Sequence, residues 1–331
     1  MTWDEAALAR LLRAMVPGAT DARVRQVVPL TGGFSAQSAR VRAACDGADG
    51  TRELDVVVRR VPEDGLLAPY DVQREYRIIL SLQRSPIPVP PVVGCDPTGQ
   101  YLGGPCLVTG YVPGEPLTFF GQMVHPDEPR LPAYFAVLAA IHALDWRAYS
   151  LDFLDEADDG VEAELGRTEA RFAHYGGAGA DERSMLAWLR ESAPADLTRT
   201  FLHGDLNPAN YLFDSQRLVA VLDWELALIG DPRLDLGFFA AIQSAFGGTW
   251  GLDLAGFLHG YASANPGANL RHLDYFEAVG LLRLLAFVQA AERLRGLDVT
   301  AFRHRLLQRF WEIAQGAKRS SDISAAAAED S

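Results

Sequence analysis

Hydrophobic positions along the chain follow two different periods, and the change falls near residue 113. Before it, β-branched and alternating stretches dominate. Leu8, Leu11, Leu12 and Met15 first fall on one face of a helix that Asp4 can cap and that Pro17-Gly18 stops. From Arg23 to Leu30 the pattern predicts a strand, Thr31-Gly32-Gly33-Phe34-Ser35 interrupts it, and alternation resumes through Val41. Leu54 to Arg60 reads as a third strand after a turn at Asp46 to Gly50. Tyr70 to Leu82 carries Tyr76, Ile79, Leu80 and Leu82 at helical spacing, with Glu75 one turn before Ile79. Pro86, Pro88, Pro90 and Pro91 then forbid helix, and Val92 to Cys95 with Cys106 to Tyr111 supply two more strands. These segments predict a five-stranded antiparallel sheet with one packed helix.

After Val112-Pro113-Gly114-Glu115-Pro116 the composition turns Ala- and Leu-rich, and helical spacing takes over. Helices are predicted from about Leu131 to Trp146, Val161 to His174, Asp181 to Glu191, Leu234 to Ala245, Leu254 to Ala262, His272 to Leu294 and Thr300 to Ala314. One stretch breaks the helical half. Phe201-Leu202, Tyr211-Leu212-Phe213 and Leu218 to Leu222 are short apolar runs ending at polar residues. The expected fold class is α+β with two lobes: residues 1–112 with an accessory N-terminal helix, a mainly helical 113–319, and a Ser-, Ala- and acid-rich disordered tail at 320–331.

Bulk properties narrow the function classes. The chain has 331 residues, long for a single core, with 49% hydrophobic and 22% charged residues, an ordinary globular composition. A net charge of −13 with no cluster of Lys and Arg argues against a nucleic-acid partner. Cys45, Cys95 and Cys106 form neither a paired framework nor a metal spacing, so free thiols in a reducing compartment are expected. The acidic start Met1-Thr2-Trp3-Asp4-Glu5 does not read as a signal peptide, and no apolar run reaches the roughly 20 residues of a membrane span. The expectation is a cytoplasmic protein without membrane partners, and the sequence carries no mark of its oligomeric state.

The candidate chemistry sits in the stretch that interrupts the helices. His203-Gly204-Asp205-Leu206-Asn207-Pro208-Ala209-Asn210 and Val221-Leu222-Asp223-Trp224-Glu225 bring an acid, an amide and another acid to the ends of buried strands. That set suits phosphoryl transfer, in which one carboxylate orients an attacking hydroxyl while an amide oxygen and a second carboxylate hold magnesium against phosphates. Asp205 and Asn210 stand at the spacing of H-R-D-L-x-x-x-N, the catalytic-loop pattern of kinases. A turn-capping Asp205 is the bland alternative, but capping does not require Asp223 after a second strand. His203 is expected to brace the loop from a buried position rather than to bind metal. Upstream, the glycine turn can fold its N–H groups over phosphates; on local sequence a plain hairpin turn is the better reading, and the order of elements along the chain is what supports the phosphate role. Arg59 and Glu75 match a strand cation paired with a helix carboxylate beside nucleotide phosphates, against the alternative of a surface ion pair.

On these residues the chain resembles the aminoglycoside phosphotransferase family, the small-molecule branch of the protein-kinase-like fold. His203 to Asn210 is similar to that family's H-G-D-x-x-x-x-N loop, Leu222-Asp223-Trp224-Glu225 to its I-D-W-E segment, and Gly230-Asp231-Pro232-Arg233-Leu234-Asp235-Leu236 to its G-D-P-x-x-D-L continuation. The resemblance implies a bilobal kinase-like fold and transfer of the γ-phosphate of ATP or GTP to a small-molecule hydroxyl. It implies Asp205 as catalytic base, Asn210 and Asp223 as Mg²⁺ ligands, and Gly32, Gly33, Ser35, Arg59, Glu75, Tyr111 and Val112 as nucleotide-binding residues, with Tyr111 to Pro113 at the nucleotide edge. Asp235 would brace the catalytic loop. Arg59 stands where the family generally has Lys, and Arg60 points to the other face of the strand. Glu225 replaces the last glycine of D-F-G, which fits a small-molecule rather than a protein substrate.

The acceptor is less legible. Asp152, Asp155, Glu156, Asp158 and Asp159 could attract a polycation, although such a run is more often a solvated loop. Arg271, Arg283, Arg293, Arg295, Arg303 and Arg305 could serve an anionic coenzyme A ester, as in the family's members that phosphorylate hydroxyacyl thioesters, or could form an ordinary charged helix surface. A nucleotide-binding module without transfer activity is the reading from another class, permitted by Arg59 and opposed by the intact Asp205, Asn210 and Asp223 set.

Overall fold

The computed structural model describes the chain apart from residues 1–2, 31–35, 119–123, 156, 158, 247–251 and 330–331, with side chains described as far as residue 317. The N-terminal lobe opens with α1 (Glu5–Met15), whose cap is Asp4: its Oδ1 accepts from the backbone N–H of Ala6 at 2.9 Å and Ala7 at 3.2 Å. Five strands follow around one helix: β1 (Ala19–Leu30), β2 (Gln37–Gly47), β3 (Gly50–Arg60), α2 (Val72–Leu82), β4 (Val92–Asp96) and β5 (Cys106–Gly110). They form one antiparallel sheet in the order β1-β2-β3-β5-β4. Leu8, Leu11 and Leu12 of α1 cover one face of this sheet over Val41, Val56, Val58 and Val108.

The other face takes α2, which buries Val72, Glu75, Ile78, Ile79 and Leu82. Leu80, expected on that face, is 44% exposed. The residue before Ile79 is the one turned inward, because 100° per residue puts Leu80 and Ile78 on opposite sides once Glu75, Ile79 and Leu82 face the sheet.

β5 ends at Gly110, and the chain then leaves the sheet for β6 (Glu115–Pro116), which pairs with β8 (Tyr211–Asp214) and through it with β9 (Arg217–Val221). The rest is helical: α3 (Leu131–His142), α4 (Glu162–His174), α5 (Ala180–Glu191), then after the strands α6 (Arg233–Phe246), α7 (Leu254–Ala264), α8 (Leu273–Arg295) and α9 (Thr300–Glu329). A two-stranded ladder, β7 (Thr200–Leu202) with β10 (Leu228–Gly230), closes beneath the catalytic-loop sequence. This is the bilobal α+β architecture expected of a kinase-like fold.

A single apolar cluster runs from lobe to lobe, joining Ile78, Leu82 and Leu107 to Tyr134, Leu138, Phe201, Leu206, Tyr211 and Trp224. A second lies distal to it, among Phe172, Leu186, Leu234, Phe276, Leu282 and Phe310. The three cysteines are free thiols. Among the described residues no helix is long and apolar enough to cross a membrane.

Candidate active site

The catalytic-loop sequence is set by backbone demands. Phe201 stacks on Trp224 with ring centroids 5.5 Å apart, and the Tyr134 hydroxyl donates to the Leu206 carbonyl at 2.8 Å, so both ends of the loop are anchored in the core. Gly204 sits at φ +83°, and a Cβ there would lie 2.3 Å from the Leu226 carbonyl oxygen. Only glycine meets both conditions. His203 is fully buried; its Nε2 lies 2.8 Å from the Leu222 carbonyl and its Nδ1 accepts from the Asp205 N–H at 3.1 Å. A carbonyl only accepts and an amide N–H only donates, so His203 is the neutral Nε2–H tautomer. It braces the loop and binds no metal.

Asp235 performs the same service from α6. Its Oδ1 accepts from the Gly204 N–H at 2.9 Å and its Oδ2 from the His203 N–H at 3.2 Å. Oδ2 also faces His142 Nε2 at 3.1 Å, while His142 Nδ1 lies 2.7 Å from the Tyr261 hydroxyl. Burial pushes the Tyr261 phenol up to about 12, so it stays protonated and donates to His142, and it accepts from Asn265 Nδ2 at 3.1 Å. The relay is oriented throughout: Asn265 to Tyr261 to His142 to Asp235.

These restraints present Asp205, whose Oδ1 accepts from the Asn207 N–H at 3.1 Å and whose Oδ2 accepts from Asn210 Nδ2 at 2.9 Å. Because Asn210 gives its NH₂ to Asp205, its Oδ1 remains as an acceptor. The Asn210 carbonyl takes the Leu222 N–H at 2.8 Å, tying this loop to the next segment. There the hairpin of β8 and β9 delivers Asp223 in the left-handed region, at φ +61°, a conformation Asp tolerates better than most residues. Trp224, fixed by an indole N–H bond to the Val221 carbonyl at 3.0 Å, holds the turn from below.

Arg59 meets this turn from β3. Its guanidinium donates to Asp223 Oδ1 at 2.5 Å, makes a very short contact with Glu75 Oε2, and lies 3.6 Å from Glu225 Oε2. One fork thus meets the Glu75 carboxylate of α2 and two carboxylates of the turn after β9, with separate donors where Lys has a single compact ammonium. Burial works against the Arg59 charge, but Glu75, Glu225 and Asp223 outweigh it and push its pKa up. Glu75 is pushed above the ordinary carboxylate range by burial, against the pull of Arg59. Arg60 takes the opposite face, donating to the Leu102 carbonyl at 2.8 Å. Arg59 is therefore the strand residue that faces Glu75.

The other anticipated residues fall as follows. Gly32, Gly33 and Ser35 lie outside the described residues, between strands whose register runs to Leu30 opposite Ser38. Tyr111 and Val112 are half-buried where the chain leaves β5; the Tyr111 N–H donates to the Asp55 carbonyl at 2.9 Å, and the Arg40 guanidinium lies 3.5 Å from the Tyr111 ring centroid. Asn210 Oδ1 and the Asp223 carboxylate, 39% exposed, suit Mg²⁺, which takes one or two protein oxygens and completes its shell with water and phosphate. No group of three or more His, Cys, Asp or Glu side chains forms a metal cage among the described residues.

Two residues of the acidic run are engaged structurally, while Asp152 is exposed. Asp159 Oδ1 accepts from the N–H groups of Val161 at 2.7 Å and Glu162 at 2.6 Å at the start of α4, and Asp155 pairs with Arg199; Glu156 and Asp158 lie outside the described residues. Among the late arginines, Arg271, Arg293, Arg295 and Arg305 are exposed, whereas Arg283 is 4% exposed and donates to the Gly204 carbonyl at 2.6 Å. Sequence reasoning missed Glu164 and Arg171, which meet Arg283 beneath the loop. The available signal was a charge inside an apolar run, as in Leu281-Leu282-Arg283-Leu284-Leu285, because such a charge is buried with a partner.

A sequence profile described as the phosphotransferase enzyme family matches residues 26–271. The chain is 30% identical over 196 residues to the mouse protein "Acyl-CoA dehydrogenase family member 10", a stretch covering 56% of this chain and 18% of that protein, so the chain spans about a fifth of that relative's length. Among solved structures, a candidate aminoglycoside phosphotransferase from Ralstonia eutropha superposes with a TM-score of 0.68 at 19% identity, covering 95% of this chain and 99% of the other. A thermostable aminoglycoside phosphotransferase variant solved with ADP and hygromycin B has a TM-score of 0.54 at 17% identity, covering 88% and 94%. At these identities the structural likeness concerns the fold.

Proposed function

We propose, for a chain that belongs to the phosphotransferase enzyme family, the transfer of the γ-phosphoryl group of ATP or GTP to a hydroxyl of a small molecule. The observation that carries this reading is the Asp205 carboxylate, oriented by the Asn207 N–H at 3.1 Å and by Asn210 Nδ2 at 2.9 Å on a loop braced from beneath by Asp235. Each oxygen keeps a lone pair for an incoming hydroxyl. Asp205 holds the acceptor O–H and takes its proton as the oxygen attacks phosphorus. Arg59, fixed by Glu75, supplies positive charge on the nucleotide side, and Tyr111 with Val112 offers the adenine or guanine edge where the chain leaves β5. Asn210 Oδ1 and Asp223 would hold Mg²⁺, which when bound neutralises charge on the phosphates.

A hydroxyacyl coenzyme A acceptor is the second reading, supported by the similarity to a protein named for acyl-CoA dehydrogenation. The test is magnesium-dependent nucleotide consumption with pooled alcohols, wild type beside Asp205→Asn. We expect a fall of about 10²- to 10⁴-fold in transfer, the usual worth of a positioned base. Wild-type turnover in the variant would refute Asp205 as the base, and nucleotide binding without transfer to any pool would favour a binding module.

A further inference from the structure

Beneath the catalytic loop, α4 and α8 bury two guanidinium groups against one carboxylate. Glu164 Oε1 lies 4.0 Å from Arg171 Nη1 and 3.6 Å from Arg283 Nε. The three residues are 4%, 7% and 4% exposed, respectively. Among the described residues Glu164 is the one carboxylate that either arginine reaches within ion-pair distance. The hydrogen bonding is incomplete as well: Arg171 Nε, Arg171 Nη1 and Arg283 Nε are buried and have no hydrogen-bond partner. The arginines are nevertheless held in place. Arg283 Nη2 donates to the Gly204 carbonyl at 2.6 Å, its guanidinium carbon lies 3.9 Å from the Phe238 ring centroid, and that of Arg171 lies 5.6 Å from the Phe287 centroid.

A structural ion cluster balances its charge and fills its donors, because an uncompensated buried charge is costly. This one does neither. Within ion-pair distance it sets two guanidinium charges on one carboxylate and leaves three guanidinium nitrogens without a hydrogen bond, and one of the two guanidiniums bonds the residue that precedes Asp205. Burial lowers the Arg171 pKa to about 10; Glu164 and Glu225 pull against that shift, while Arg283 and Arg167 add to it. Carboxylates and phosphoesters are the groups that fill paired guanidinium donors, accepting two parallel bonds from a planar fork. A polycation is excluded from the same place, and Asp155 and Asp159, which could have drawn one, are already engaged.

We propose that Arg171 and Arg283 form an anion-binding subsite for the acceptor, so that the molecule phosphorylated is a hydroxy compound carrying a carboxylate or phosphoester a few atoms from its hydroxyl. This rests on the transfer reading above for the word acceptor, but its test does not require transfer. The full chain is titrated calorimetrically with 3-hydroxybutyrate, glycerol 3-phosphate and, as cationic control, choline. Wild type is expected to bind at least one of the two anions and not choline, the stronger anion identifying carboxylate or phosphoester. Arg171→Gln weakens that binding at least tenfold, and Arg171→Lys recovers part of it. Arg171→Gln also keeps or raises the urea midpoint, since it removes an unbalanced buried charge. Absence of binding by both anions, equal affinity in Arg171→Gln, or tighter binding of choline would overturn the proposal. A lowered urea midpoint with unchanged anion affinity would overturn it too, identifying Arg171 as a strut. Anion binding that depends on Arg171 with no transfer to any alcohol would leave the subsite standing and remove the transfer reading.

Discussion

Replacing Asp235 by Asn tests whether the catalytic loop is held from below as the hydrogen bonds indicate. The wild-type carboxylate, 2% exposed, accepts from the N–H groups of Gly204 at 2.9 Å and His203 at 3.2 Å and faces His142 Nε2 at 3.1 Å. Bonds to a charged acceptor contribute about 1.5–3 kcal/mol each, and leaving a buried donor unmet costs about 1–3 kcal/mol. The Asn amide has one acceptor oxygen. If its NH₂ replaces Oδ1 it opposes the Gly204 N–H; if it replaces Oδ2 it opposes the His203 N–H and His142 together. Either way one backbone donor is orphaned and the surviving bonds lose their charge, so the expected loss is about 2–4 kcal/mol out of a typical 5–15. Urea unfolding would show a lower midpoint at unchanged slope. Turnover should fall as well, because Asp205 hangs from His203 Nδ1. A variant within about 1 kcal/mol of wild type and with unchanged turnover would refute this account, since a value that small is ordinary for a neutral bond.

Two further outcomes follow from buried charge and burial alone. Arg59→Met strands Glu75, which is 3% exposed, and should cost about 3–5 kcal/mol; adding Glu75→Gln should restore a large part, and thermal unfolding that shows the double variant no more stable than the single would contradict the pairing. Burial pushes the Cys106 thiol up to about 12, so the folded chain keeps its proton where the unfolded chain begins to lose it near 9. Stability from this group is full below that unfolded value and falls as pH rises toward 12, by about 1 kcal/mol at pH 10. Urea unfolding at pH 8 and pH 10 should show that increment in wild type and lack it in Cys106→Ala.

Much of the fold was readable because its signals are local. Asp4 precedes the first helix and caps it in the structure, and residues 37–60 form a hairpin in direct register from Gln37 opposite Arg60 to Gly47 opposite Gly50. Where the reading failed, the local pattern was ambiguous. In Arg77-Ile78-Ile79-Leu80 three consecutive apolar residues cannot all face one sheet, and the sequence does not say that Leu80 is the one turned out.

The site divides along the same line. Asp205, Asn210 and Asp223 were legible because one short stretch carries them on strands that need fixed polar ends, and Arg59 with Glu75 because both lie at regular positions on adjacent elements. The arginine subsite was not, since Glu164 and Arg171 come from α4 and Arg283 from α8, more than a hundred residues later, and only tertiary packing sets two cations on one carboxylate. By sequence Arg283 reads either as a contact for an anionic ester or as part of an ordinary charged helix surface, the common fate of arginine on a helix. Its true neighbour, the Gly204 carbonyl, links the two halves of the problem. The loop that would activate a hydroxyl is held by Asp235 on one side and by Arg283 on the other. Loss of the Arg283 guanidinium would therefore disturb the loop together with anion affinity, whereas Arg171, which touches no loop atom at hydrogen-bond distance, separates the two effects and is the residue on which acceptor charge is best tested.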